Sequence, residues 1–172
     1  YGDEDDTDGL YYHEAKAGTT AFHAYATLYA RVENKRYTLA VRRLTDGDTA
    51  SDVLAEFLGL LDNFEFGVKA VYLDSGFYDG KCLTLLQVHN FAYVIPIIKW
   101  GEEIKDELSK GWSREISHDL TTSFGDHEWT VEFPVMIDCT YKNGRYGELG
   151  VARHGYAVDA PFVDKPRKAR SH

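Results

Sequence analysis

A short, largely apolar run ends abruptly on an acid. Val68 to Leu73 reads Val-Lys-Ala-Val-Tyr-Leu, then come Asp74-Ser75-Gly76 and a helical pattern. A short β-branched run bounded by turn residues reads as a strand buried on both faces of a sheet. The run before it is of another kind. Ala21 to Val32 and Arg36 to Leu44 flank the polar Glu33-Asn34-Lys35 and predict a hairpin. From Ala50 to Leu61, the residues Val53, Leu54, Phe57, Leu58 and Leu61 recur at helical spacing. Thr49 with Asp52 three residues on resembles a capping box. Gly80 to Asn90 carries Leu83, Leu85 and Leu86 as a second helix, and Tyr93 to Ile98 is a further apolar strand. Pro96 inside that strand requires either an edge position or a strand end. Strand, strand, helix, strand, helix, strand predicts an α/β fold: a mixed sheet flanked by helices, with at least one parallel pair.

The second half is β-rich. Glu128 to Tyr141 alternates in part, with Trp129, Val131 and Phe133 on one face. Lys142-Asn143-Gly144-Arg145 contains Asn-Gly, the strongest short hairpin signal, and Gly150 to Val158 reads as a returning strand. Gly144, Gly147 and Gly150 look like turn glycines. The expected division is an α/β core over 1–113, a β-rich insertion over 114–164 and a basic connection over 165–172. The acids of residues 1–9 read as a solvated loop. Residues 165–172, with Lys165, Arg167, Lys168 and Arg170, read as a solvated tail rather than a phosphate site, and as the point where a longer protein has been cut.

Composition narrows the class. In 172 residues, 44% are apolar and 14% aromatic, which excludes a disordered chain. A chain of this length is one domain by the usual prior and hides about 70% of its unfolded surface. No apolar run is long enough to cross a membrane. Cys82 and Cys139 form no CxxC pair and point to a reducing, cytoplasmic setting. The net charge of −9, from 28 acids against 19 bases, argues against a nucleic-acid binder. An evenly acidic surface also keeps proteins soluble in concentrated salt, so this charge constrains partners less than usual.

Asp74 is the sharpest candidate for chemistry. In open α/β sheets, ligands bind outside the carboxyl ends of strands. A carboxylate there suits a hard cation such as magnesium. The plainer alternative is that Asp74 only caps the next turn. His118-Asp119 and Asp126-His127-Glu128 suggest a metal cluster, but without HExxH spacing a polar loop before a strand is the better reading. His23 reads as a cross-strand or core residue. Cys82, on a helix with apolar neighbours, reads as a small core residue rather than a nucleophile. GxSxG, GxxxxGK[ST] and GxGxxG are all absent.

These residues together resemble a family. Ala70-Val71-Tyr72-Leu73-Asp74-Ser75-Gly76-Phe77-Tyr78 is similar to the second-aspartate motif of DDE-type insertion-sequence transposases. Lys16-Ala17-Gly18-Thr19-Thr20-Ala21-Phe22-His23-Ala24-Tyr25-Ala26-Thr27 resembles the second strand of their branch from salt-loving archaea, which the acidic composition suits. Tyr93-Val94-Ile95-Pro96 with Lys99 is similar to the strand that follows the second aspartate. The resemblance implies an RNase H-like fold with a β-rich insertion. It implies three carboxylates holding two divalent ions, Mg2+ or Mn2+, and DNA as partner, both element ends and target. It implies a dimer in the full-length synaptic complex.

Asp74 matches the second carboxylate, so it is the expected catalytic and metal-binding residue. The first Asp belongs before a Tyr-Gly loop like Tyr1-Gly2. The Glu belongs to a helix that would begin after His172. Asp3, Asp5, Asp6 and Asp8 do not match the first position. The expectation is thus the middle of a transposase, active at full length and inactive by itself. Two other readings stand beside it: a non-catalytic remnant or binding module that kept the fold, and a different metal-dependent hydrolase using Asp74 with His118 or His127.

Overall fold

The computed structural model describes residues 11–16, 19–65, 67–98, 101–143, 149–163 and 165. The chain divides into two compact units, Tyr1–Asn63 and Phe64–His172.

In the first unit, β1 (Tyr11–Lys16) pairs antiparallel with β2 (Thr19–Phe22). A second antiparallel hairpin joins β3 (Ala24–Val32) to β4 (Lys35–Leu44). The expected strand from Ala21 is therefore two strands, interrupted at His23. Val32 pairs with Lys35, which leaves Glu33-Asn34 as a two-residue turn. Both turn residues have positive φ, 48° and 65°, as a type I′ turn requires. Along β3 the side chains alternate between half-buried and exposed, the period-2 signature of a strand covered on one face.

Helix α1 (Ala50–Asp62) starts on the expected capping box: the Thr49 hydroxyl accepts from the Asp52 amide, and the Asp52 carboxylate accepts from the Thr49 amide. Its residues Val53, Leu54, Phe57, Leu58 and Leu61 are buried. Arg42 on β4 ties the helix down, pairing with Asp48 at 2.7 Å and with Glu56 at 3.1 Å.

The second unit is built on one mixed five-stranded sheet in the order β5-β6-β9-β8-β7. Here β5 is Val71–Tyr72, β6 Tyr93–Pro96, β7 Arg114–Phe124, β8 His127–Asn143 and β9 Leu149–Asp159. β5 and β6 are parallel, and every other pair is antiparallel. The fold is mixed α/β, with a parallel pair as expected.

Two expectations need correction. β5 is shorter than Val68–Leu73 and lies at an edge of this sheet rather than in its interior. Only Val71 of that run is buried; Tyr72 and Lys69 face solvent, with the Lys69 ammonium 4.5 Å from the Phe162 ring centroid. Nor do His118 and Asp119 lie in a loop. They belong to β7, which turns into β8 through Gly125-Asp126. Gly125 has φ +60° at the first turn position, and Phe124 pairs with His127.

Helix α2 (Gly80–Val88) packs on β7 and β8, and α3 (Glu102–Ser109) packs on β9. Cys82, Leu83 and Leu86 of α2 are fully buried, as are Tyr93 and Ile95 on β6 and Phe133, Val135 and Ile137 on β8. A second buried cluster joins Val94, Met136 and Val158 to Ala160 and Val163, which follow β9. The middle of the sheet is therefore covered on both faces. Trp129 on β8 donates its indole N–H to the Thr84 hydroxyl at 3.0 Å, tying α2 to the sheet. β8 and β9 pair as a hairpin, but Asn143 lies within β8 opposite Leu149 and not at the centre of the two-residue turn that Asn-Gly signals; residues 144–148 lie outside the described residues. So do Tyr1-Gly2, Lys99 and all of the basic tail except Lys165.

Candidate active site

Asp74 owes its place to a proline on the neighbouring strand. Val71 donates to the Ala92 carbonyl at 2.8 Å and Leu73 to the Val94 carbonyl at 3.1 Å. In this parallel alternation the next donor back to β5 is residue 96. That residue is proline and has no N–H, so the pairing stops at Leu73 and the chain leaves the sheet at Asp74. Pro96 thus ends its strand, one of the two placements the sequence allows. β6 is not an edge, since it lies between β5 and β9.

The exit is a tight turn. Asp74 has extended backbone, and its Oδ1 accepts from the Gly76 amide at 2.7 Å, opening a 3₁₀ turn over Ser75–Phe77. Phe77 N–H returns to the Asp74 carbonyl at 3.2 Å. Two residues after the turn, Asp79 caps α2, its Oδ1 accepting from the Lys81 amide at 2.8 Å. Asp74 is exposed, and its second carboxylate oxygen makes no hydrogen bond among the described residues.

The neighbours of this turn are inert. The Tyr78 ring meets Phe133 edge-on at 6.1 Å, and burial pushes its phenol up to about 12. Burial, with Asp79 nearby, pushes the Cys82 thiol up to about 12 as well. A thiol held neutral in this way is a core residue, not a nucleophile.

The histidines do not assemble a metal cluster. His118 is buried on β7, its ring edge-on to Phe133 at 5.6 Å and its Nδ1 3.6 Å from a Glu103 carboxylate oxygen. Asp119 alternates to the opposite, exposed face, and Asp126, His127 and Glu128 are exposed around the β7–β8 turn. His23 is exposed, its Nδ1 3.0 Å from an Arg43 guanidinium nitrogen, a contact between β4 and the residue before β3. Asp138, buried on β8, accepts from the Thr140 hydroxyl at 3.2 Å; no sequence signal marked it out. Among the described residues, no three His, Cys, Asp or Glu side chains converge as a metal site. A two-ion site therefore does not fit the described residues alone; the exposed Asp74 carboxylate is of the hard-oxygen type that such ions take.

No described helix is long and apolar enough to cross a membrane. Comparison with family models, with curated proteins and with solved structures finds no match to the chain.

Proposed function

We propose that this chain is the central part of the catalytic domain of a DDE-type insertion-sequence transposase, with an RNase H-like core in which Asp74 is the second of three carboxylates. The observation that supports it most is the position of Asp74. It is an exposed acid at the carboxyl end of a parallel strand, where α/β sheets bind ligands, and a helix follows directly. The order of hairpin, helix, parallel strand, helix, parallel strand also suits that fold. On this reading β7, β8 and β9 are the insertion over 114–164, added to the free side of β6, and 165–172 is the connection beyond it.

Mg2+ or Mn2+ bound at the three carboxylates would activate the attacking oxygen and steady the leaving one. Asp74 contributes one carboxylate. On this reading the other two belong to parts of the full-length protein outside this chain, and this chain by itself does not cleave. Its partners are the DNA ends of the element and target DNA, held by a dimer in the cytoplasm. The test is Asp74→Asn in the full-length protein, assayed for strand cleavage with Mg2+ or Mn2+ on DNA carrying the element ends. Loss of cleavage with the fold intact is expected. Near-normal cleavage would reduce Asp74 to a turn residue and sink the assignment.

A second reading, a non-catalytic remnant or binding module that kept the fold, is favoured by one finding. Asp74 already works as a cap, its Oδ1 accepting from the Gly76 amide. Full-length wild-type protein that cleaves nothing with either ion would select it.

A further inference from the structure

The exposed face of the β3–β4 hairpin runs against the charge of the whole chain. Residues 23–44 hold Arg31, Lys35, Arg36, Arg42 and Arg43 against a single acid, Glu33, in a chain of net charge −9. The register sorts them. Tyr25 stands opposite Arg43, Tyr29 opposite Thr38 and Arg31 opposite Arg36, and Thr27 opposite Val41 completes a face without a carboxylate. Arg42 points to the other side, where Asp48 and Glu56 neutralise it.

Two features of this face call for a ligand. First, Arg31 and Arg36 are directly opposite each other, a like-charge arrangement that destabilises a strand pair. Neither has a carboxylate partner among the described residues: Arg31 donates to the Asn34 side chain at 3.1 Å, and the Arg36 guanidinium lies 4.8 Å from the Tyr29 ring centroid. Second, Tyr25 is 59% exposed, Tyr29 47% and Val41 59%, so large apolar groups stand in solvent between the charges. Tyr25 and Tyr29 are on the same face of one strand, about 13 Å apart at the usual rise per residue. That is far enough to serve two separate bases.

We infer that this face binds single-stranded nucleic acid. The arginines meet the phosphates, while Tyr25 offers its exposed ring, and Tyr29 a ring already flanked by the Arg36 guanidinium, to unstacked bases, the combination on which sequence-tolerant single-strand binding rests. A duplex is the poorer partner, because its bases are already stacked and give the tyrosines nothing to cover. The acidic remainder of the chain opposes any polyanion at long range, so affinity stays within the ordinary non-specific span. This inference does not rest on Asp74 or on strand cleavage.

The test is fluorescence anisotropy of labelled oligo-dT with the whole chain, in EDTA at about 50 mM NaCl. The expected Kd is about 10⁻⁵ M, with a duplex of equal length bound at least about fivefold more weakly. The pair Arg31→Gln with Arg36→Gln should weaken binding about tenfold and flatten its salt dependence by about 1.4 units of slope. The pair Tyr25→Ala with Tyr29→Ala should weaken it about tenfold and leave the salt slope unchanged. Lys105→Glu, on an α3 lysine, is the control and should change neither. Circular dichroism of each variant separates lost binding from lost folding. Oligonucleotide affinity equal to wild type in both double variants overturns the inference, as does no binding at about 100 μM chain. Concentration-dependent dimerisation that the same variants abolish, without oligonucleotide binding, would assign the face to a second copy and overturn it too. Because EDTA removes any metal, failure here is distinct from failure of the cleavage assay.

Discussion

Gly80 and Thr122 meet so closely that a Cβ added at position 80 would fall 2.8 Å from the Thr122 Cβ and 2.9 Å from its methyl. The first turn of α2 is therefore seated on β7 through a glycine. Gly80→Ala must push helix and strand apart, and overpacking of this kind costs about 1–3 kcal/mol. Gly59, inside α1, has nothing within 4 Å of an added Cβ. There Gly→Ala should stabilise by about 0.5–1 kcal/mol, through helix propensity alone. Urea unfolding of the two variants should give opposite signs. A Gly80→Ala variant no less stable than wild type would mean that the α2–β7 approach is not tight.

Thr49→Ala removes the hydroxyl that accepts from the Asp52 amide at 3.2 Å and donates to the Asp52 carboxylate at 2.6 Å. The expected cost is about 1 kcal/mol, the usual value for an N-cap. Thr49→Ser keeps both bonds and should restore most of it. A chemical denaturation series on the three proteins checks this, and an unchanged midpoint for Thr49→Ala would show that the cap contributes nothing.

That cap shows which features were legible in the sequence. Local chemistry was: the Thr49–Asp52 box, the Glu33-Asn34 turn and the apolar spacing of α1 all act between near neighbours. Features that depend on distant partners were not. Val68 to Leu73 looks like an interior strand, yet it lies at the edge of the sheet with only Val71–Tyr72 in the ladder, and only pairing reveals that. α3 has just Ile104 and Leu108 as buried anchors in a charged octet, too few to show a period. β7 hid behind Ser117, Asp119, Thr121 and Ser123, polar residues on its exposed positions. For the site, the position of Asp74 could be read from its neighbours. The basic-aromatic face of β3–β4 could not, because the register and the bulge near Leu28 and Tyr29 decide which residues share it.

Glu107 links α3 to the start of β7. Lys110 and Arg114 donate to its carboxylate, Arg114 at 2.6 Å, and hold its carboxyl below the ordinary 4.5. A depressed folded value means that the unfolded chain takes up the proton first. The stabilisation is thus complete above the ordinary value and disappears as pH falls through the folded one. Glu107→Gln should be less stable than wild type at pH 7, and the gap should shrink as pH falls below 4.5. Urea midpoints across that range decide it; a gap that stays constant with pH would show that the carboxylate charge is irrelevant.

The two thiols, Cys82 and Cys139, are both free and buried. With the Cys82 thiol pushed up to about 12, little thiolate forms at pH 8. Ellman's reagent should therefore label neither cysteine in the native chain and both in urea. Rapid labelling of Cys82 under native conditions would contradict the packing of α2 on the sheet.

Asp74 separates two roles that one side chain can hold, and two substitutions pull them apart. Its Oδ1 accepts from the Gly76 amide, which is structural work that an uncharged oxygen can also perform. Asn keeps that acceptor, so Asp74→Asn should leave the stability of the chain within about 0.5 kcal/mol of wild type. Asp74→Ala removes the acceptor and leaves the turn uncapped, at a cost of about 1 kcal/mol. On the proposed transposase reading, both substitutions should abolish metal-dependent cleavage by the full-length protein, because neither an amide nor a methyl supplies the negative charge that a divalent ion requires. The informative comparison is therefore Asn against wild type: the fold is unchanged and only the charge is lost. Thermal unfolding of this chain, together with cleavage by the full-length protein, reads both quantities. If Asp74→Asn unfolds as readily as Asp74→Ala, the charge itself holds the turn, and lost cleavage in that variant then says nothing about metal binding.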